Sequence, residues 1–263
     1  MNRFKKYWVV FSISISNNLV YLTNFISGNI FVMFILFIYV NLWSNIYKDK
    51  SVISGFTFKQ LLWYLFMTEV ISLAKTDIFK TINTDVKNGN IAYLINKPYN
   101  YIFYNYFNAW GEIILKTLTN IIAAGVLTYT FVGPLKVNIA ILPVIALSMF
   151  MSISINFFIT TALSLTSFWF EENTAFFWIY TKLIFIVGGM LIPIEMFPGW
   201  LKAISLKLPF AYVTYGPAKL LVSFDPHISI EILSYQLVYL LTFMFLSIYL
   251  FKLGSRCLNV NGG

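Results

Sequence analysis

FISGNIFVMFILFIYVNLW, Phe25 to Trp43, holds no charged residue. It is long enough to cross a bilayer as one helix, because the hydrocarbon core takes about 20 residues at 1.5 Å each. Trp43 and Tyr47 stand at its far end, where aromatic rings settle among headgroups. Further apolar runs follow it. One runs from about Gln60 to Ala74 and continues as a more polar helix towards Ile82. The others cover Tyr101 to about Val132, Ile139 to Leu165, Ala175 to Leu191 and Ile230 to Leu250. The expected fold is therefore all-α and integral to the membrane, a single unit over 1–263 with six transmembrane helices, at about 25–45, 59–82, 101–132, 138–166, 174–192 and 230–251.

Composition points the same way. Of 263 residues, 59% are hydrophobic and 11% charged, against about 25% charged in a soluble domain. Mean hydropathy is +0.76. Lipid can solvate that much apolar surface directly, whereas a soluble core of this size could not hide it. The net charge of +8 comes from basic residues scattered through the loops. That distribution argues against nucleic acid and for anionic headgroups and orientation. With the N-terminus inside, the cytoplasmic segments hold more basic residues than the external ones, and six spans return the C-terminus inside. A multi-pass protein of the plasma membrane follows.

Cys257 and His227 are the single cysteine and histidine, so an internal disulfide and a Cys/His metal site are excluded. His227, beside Pro226, reads as a solvated loop residue. At the N-terminus, Arg3, Lys5 and Lys6 precede a stretch that Ser and Asn interrupt, and no small-residue cleavage site follows. An amphipathic interfacial helix is expected there instead of a signal peptide, with Trp8, Phe11, Ile15 and Leu19 on one stripe.

The polar interval KTDIFKTINTDVKNGNIAYLINKPYN, Lys75 to Asn100, places an Asn-Gly turn at Asn88-Gly89, a short amphipathic stretch over Ile91 to Ile95, and a stop at Lys97-Pro98. The product is a small rigid knuckle, either an ordinary connection or a docking surface. Ile192 to His227 is apolar but broken by Pro193, Pro198, Pro209, Pro217 and Pro226. Short pieces dipping part-way into the bilayer suit it better than a continuous span. Gly188 and Gly189, just before it, allow close packing or a bend, and Phe197, Trp200 and Phe210 favour partial membrane burial.

Four charges fall inside the expected spans: Glu69, Glu112, Lys116 and Lys182. They should avoid lipid. Glu112 and Lys116, spaced i,i+4, read either as a pair that fixes helix packing or as part of a polar pathway. Glu171 and Glu172 either meet a basic partner surface or cap the next helix. No Ser/His/Asp, HExxH or paired-acid arrangement is present, and no G-x-x-x-x-G-K-[ST] loop.

Three stretches, in order along the chain, resemble the six-span ABC-2 type transporter permeases. They are DVKNGNIAYLINKP from Asp85 to Pro98, IPIEMFPGWLKAISLKLPFAYVTYGPAKLL from Ile192 to Leu221, and the final LNVNGG. The resemblance implies that the knuckle is a cytoplasmic coupling helix between spans 2 and 3, seated in a separate ATPase subunit. Asp85, Lys87, Asn88, Gly89, Leu94, Lys97 and Pro98 would be its contact and turn residues. It further implies re-entrant helices between spans 5 and 6 that close the outer exit, built on Gly188, Gly189, Pro193, Pro198, Pro209 and Phe210. Two permeases, this chain with itself or with a sibling, would work with two ATPases. No cofactor belongs to this chain; ATP and Mg would sit on the partner. Export of a hydrophobic or amphipathic substrate is the leading expectation. A membrane scaffold without a transport cycle and a proton-coupled secondary transporter are the rivals.

Overall fold

The computed structural model describes residues 3–21 and 23–257, so the terminal LNVNGG lies outside the described residues. The described chain is built from α-helices joined by short turns, with one hairpin of two-residue strands, Val52–Ile53 and Phe56–Thr57. Four of its helical segments are long and apolar enough to cross a membrane: Gly28–Ile46, Tyr101–Val132, Ile139–Phe168 and Pro226–Cys257. Thr174–Ile186 is a shorter apolar helix.

Local signals set the helix ends. α1 spans Arg3–Val20 and α2 Thr23–Ile46. α3, Phe58–Leu73, opens on a capping box between Thr57 and Gln60. α4 (Ile78–Lys87) and α5 (Asn90–Ile95) follow. α6, Tyr101–Val132, is capped by the Asn100 side chain and ends at Gly133, with φ at 72°. α7 is Leu142–Leu165 and α8 Thr174–Ile186; short α9, Gly199–Ser205, precedes α10, Pro209–Val222. α11, Pro226–Gly254, starts on Asp225, whose carboxylate accepts from the amides of His227 and Ile228. His227 thus lies in the first turn of a helix, exposed, and not in a loop.

Contacts sort the connections into two ends. At one end, the Trp63 indole N–H donates to the Gly133 carbonyl (3.1 Å), Gln60 donates to the Val222 carbonyl (3.2 Å), and Lys219 lies over the Phe56 ring. At the other, Tyr101 stacks on Phe251 at 5.2 Å and Lys87 approaches Glu172 at 3.8 Å. The connections after α2, α6 and α8 gather at the first end, and those after α3, α7 and α11 at the second.

Polar side chains are buried among the apolar core, while large apolar side chains face outward. Ser148, Ser152, Ser154, Thr161, Ser164, Gln236 and Ser247 are buried, while Phe31, Phe34 and Phe37 of α2, Ile122 and Val126 of α6, and Val238, Phe245 and Tyr249 of α11 are exposed. Lipid removes the reward for hiding apolar groups, so helices associate through close packing and interhelical hydrogen bonds. α3 and α10 sit inside, buried on most sides. Gln236 of α11 accepts from Ser148 Oγ (2.9 Å) and donates to Ser148 O, Ser152 Oγ and the Tyr212 carbonyl, joining α7, α10 and α11. Gln236→Leu is expected to lower stability in detergent by about 1 kcal/mol, the usual scale for such bonds between membrane helices. A thermal unfolding midpoint equal to wild type would contradict this.

Besides His227, the structure departs from the sequence reading at one further place. The apolar run from Gln60 to Ile82 is not one helix: α3 ends at Leu73, and Ala74–Asp77 turns the chain before α4. α4 lays Ile78, Phe79 and Ile82 onto the end of α7, and that seat sets the break. α1 runs parallel to the first half of α6. Lys6 Nζ donates to Pro98 O (2.7 Å) near its start, and Ser14 Oγ to Asn108 O (2.7 Å) further along. Ser14 fits against Gly111, where an added Cβ would stand 2.5 Å away. Phe11 and Ile15 are half-buried there, while Trp8 and Leu19 of the same stripe are exposed.

Candidate functional site

The knuckle expected at Asn88-Gly89 is a corner between α4 and α5. Gly89 has φ at 72°, a left-handed conformation that side chains resist. Its amide donates to Val86 O (3.1 Å) and the Asn88 amide to Thr84 O (2.9 Å), which closes α4. Ile91 is fully buried and anchors α5. Tyr101 Oη donates to Asp85 Oδ2 at 2.6 Å, tying α4 to the start of α6. Lys97 Nζ lies 3.9 Å from the Tyr93 ring centroid and also contacts its hydroxyl.

Below the corner, α4 is fastened to the α7–α8 connection. Phe79 stacks on Phe177 at 4.5 Å, and Ser164 Oγ donates to Phe79 O (2.8 Å). Asn83 Nδ2 donates to Asn173 Oδ1 (2.7 Å), and Asn173 Nδ2 reaches Leu163 O, Ser164 O and Thr166 Oγ1. Asn173 is fully buried. Glu172, fully exposed, accepts from the Thr174 hydroxyl and amide and faces Lys87; these contacts, the Thr174 hydroxyl first, hold its carboxyl below the usual range. Of the two readings of Glu172, helix capping is the contact present within the chain. Asn173→Ala leaves the buried Asn83 amide unpaired, and a loss of roughly 2 kcal/mol is expected, read as faster hydrogen exchange across residues 164–174. Unchanged exchange there would refute the staple.

The nominated residues divide by exposure. Lys87, Asn88, Gly89 and Pro98 are exposed, Leu94 and Lys97 half-buried, and Asp85 half-buried and engaged with Tyr101. The corner also exposes Tyr93 and Ile95, and Trp169 and Phe170 are exposed on the loop that leads to Glu172. Sequence reasoning passed over these four. Their signal was an apolar side chain in a polar interval.

The intramembrane charges are not brought together as one site. Glu69 of α3 is buried and accepts from Tyr39 Oη of α2 at 3.3 Å; its second oxygen has no protein partner. Glu112 pairs with Lys116 at 2.6 Å, and Lys116 also donates to the carbonyl of Lys75 (3.2 Å) in the α3–α4 turn. Lys182 is exposed on α8 beside the exposed Trp178, Ile179 and Ile186, with no carboxylate in ion-pair range among the described residues.

At the opposite end, Gly188 and Gly189 terminate α8. Gly189 takes φ of 74°; its carbonyl accepts from Tyr64 Oη of α3, and the Gly188 carbonyl from Thr214 Oγ1 of α10 at 2.8 Å. Pro193 begins a single 3-10 turn, Pro198 caps α9 and Pro209 starts α10. Phe210 comes within 6.0 Å, centroid to centroid, of Tyr180 half-way along α8. Glu195 and Lys219 form an ion pair at 2.6 Å with both side chains mostly buried, and Tyr215 Oη donates to Glu195 at 2.9 Å. That pair was not anticipated.

Residues 32–262 match the family of ABC-2 family transporter proteins. The chain belongs to the ABC-2 transporter family. No curated protein and no solved structure matches it. As an ABC-2 membrane subunit it is a multi-pass, non-catalytic transport component, and the family in general works with an ATPase partner. In this ABC-2 protein the match takes in both the α4–α5 corner and the proline-rich segment.

Proposed function

We propose that this ABC-2 protein is the permease of an ATP-driven exporter for a hydrophobic or amphipathic substrate, with the α4–α5 corner as the piece a separate ATPase grips. The observation that supports this most is the corner itself. Its tip exposes Lys87, Asn88, Gly89 and Tyr93, while Asp85, Asn83 and Ile91 fix its base to α6, to the α7–α8 connection and to the core. A rigid, exposed tip on a braced base transmits force; a slack loop does not.

In this reading α2, α3, α6, α7, α8 and α11 cross the bilayer, with both termini cytoplasmic. The sorting of connections into two ends agrees with that alternation. α9 and α10 re-enter from outside and form the outer gate, for which the depth of Phe210 beside Tyr180 is the support. A second permease completes the path, and ATP with Mg is bound by the ATPase subunits.

Purification from native membranes in mild detergent tests the partner. An ATPase subunit is expected to be recovered with the chain; recovery of the permease alone under conditions that preserve its fold would count against the reading. Orientation is tested separately. With Cys257→Ser as background, Asn88→Cys should resist an impermeant maleimide in intact cells and react after permeabilisation. Reaction in intact cells would place the corner outside and end the assignment.

A further inference from the structure

A corner passes force onward only if its exit is as firm as its entry. The entry leg is α4, held through Phe79, Asn83 and Asp85. The exit leg is weaker in its own backbone. α5 stops at Ile95 and α6 begins at Tyr101, and residues 96–100 belong to no helix. Pro98 has no amide hydrogen to give to a turn. Asn100 caps α6 with its side chain, so its own amide stands outside the helix ladder.

Backbone groups of this joint are taken up by α1. Lys6 Nζ donates to Pro98 O at 2.7 Å, and the Asn100 amide donates to Tyr7 Oη at 3.0 Å. The Tyr7 ring stacks on Phe107 with centroids 5.4 Å apart and meets Phe103 at a steep angle at 6.2 Å. Two turns further along α1, Ser14 Oγ donates to Asn108 O at 2.7 Å. Ser14 is buried against Gly111, where a Cβ would also stand 2.9 Å from the Ile15 amide nitrogen. The absence of a side chain at Gly111 is what lets the two helices approach there. α1 thus grips the non-helical joint near one end and the body of α6 with its middle, as a splint does across a break. From Lys6 to Ser14 the distance is about 12 Å at 1.5 Å per residue, all of it α-helix. The residues matched to the ABC-2 family begin at 32, so α1 lies before the matched region and takes no role from the family assignment.

We propose that α1 is a positioning element of the α4–α5 corner. Lys6 and Tyr7 are its positioning residues: they stiffen the joint at residues 96–100, so that a push on the corner enters α6. This rests on the transporter reading for the source of the push; the splint itself stands on the contacts of α1 alone.

The test is amide hydrogen exchange on the full chain in nanodiscs, first alone and then with the co-purified ATPase, with and without ATP and vanadate. Lys6→Met with Tyr7→Phe keeps the ring and an apolar stem and removes the two hydrogen bonds to the joint. Gly111→Ala unseats α1 by a separate route, and Trp8→Ala, at an exposed position of α1, is the control. Alone, the double variant and Gly111→Ala should exchange about fivefold faster than wild type over residues 96–104, the scale of one net hydrogen bond. Exchange over 164–174, on the entry side, should stay as it was. Lys6→Arg, which keeps the donor, should keep the wild-type rate. With the ATPase, ATP and vanadate should change exchange over 85–95 in every protein, but over 101–111 only in wild type, Lys6→Arg and Trp8→Ala. A general loss of stability would raise exchange throughout and would not separate those two segments. Wild-type exchange over 96–104 in both test variants overturns the splint. An equal response of 101–111 to ATP in the double variant and wild type overturns its part in coupling. If no ATPase accompanies the chain, the transporter reading falls, and the first comparison still decides whether α1 holds the joint.

Discussion

Gly89→Pro leaves the helical bundle assembled and removes transport, with ATPase retention falling at least about tenfold. The magnitude follows from backbone strain at one residue, of order 1–3 kcal/mol, where 1.4 kcal/mol is tenfold. Proline fixes φ near −65° and has no amide hydrogen. At this position φ is 72° and the amide donates to Val86 O, so both requirements are broken at once. α5 must then leave α4 in another direction, and Tyr93 and Ile95 turn away from their present surface. The damage stays local, because α4 is held independently through Phe79, Asn83 and Asp85. Gly89→Asn is the matched control: asparagine enters the left-handed region at small cost, and it should keep most of the transport. Measured side by side in proteoliposomes with the co-purified ATPase, equal transport by the proline variant and wild type would show that the corner transmits nothing.

Lys219→Met should produce the largest loss of stability, about 3–5 kcal/mol, because it strands a mostly buried carboxylate. Glu195 would keep only the Tyr215 hydroxyl, and one of its oxygens already lacks a partner. Adding Glu195→Gln to the same protein removes the stranded charge and should restore most of the loss, since replacing both members of a buried pair is often near neutral. Thermal unfolding in detergent gives the comparison. If the double variant is as unstable as Lys219→Met alone, the pair is not the source of the effect, and loss of the Lys219 ammonium from over the Phe56 ring is.

How far the sequence reveals this protein depends on which forces set each feature. The run from Phe25 to Trp43 falls inside α2, because length and apolarity alone make a membrane helix. Gly89 was legible for a similarly local reason, since a positive φ needs a particular residue; the Asn100 cap of α6 was not read from the sequence. The break at Ala74–Asp77 was not legible, since no proline or glycine marks it and only the seat of α4 on α7 imposes it. The Glu195–Lys219 pair was hidden too. It exists only because α10 folds back over the 3-10 turn, which no spacing along the chain announces. Asn173 sits beside two acids that draw the eye, although the amide is the buried member of that loop.

The fixation of α8 at its glycine end has a mechanical consequence. Tyr64 and Thr214 hold that end to two inner helices, while the other end rests on α4 through Phe79 and Phe177. A rod anchored in this way behaves as a lever whose fulcrum is the glycine pair. α8 is about 20 Å long at 1.5 Å per residue, so a swing of about ten degrees carries its α4 end about 3 Å while its pivot scarcely travels. Torque delivered at the α4–α5 corner would thus widen that end of the bundle first, and the contacts beyond the fulcrum would yield only when their own bonds let go.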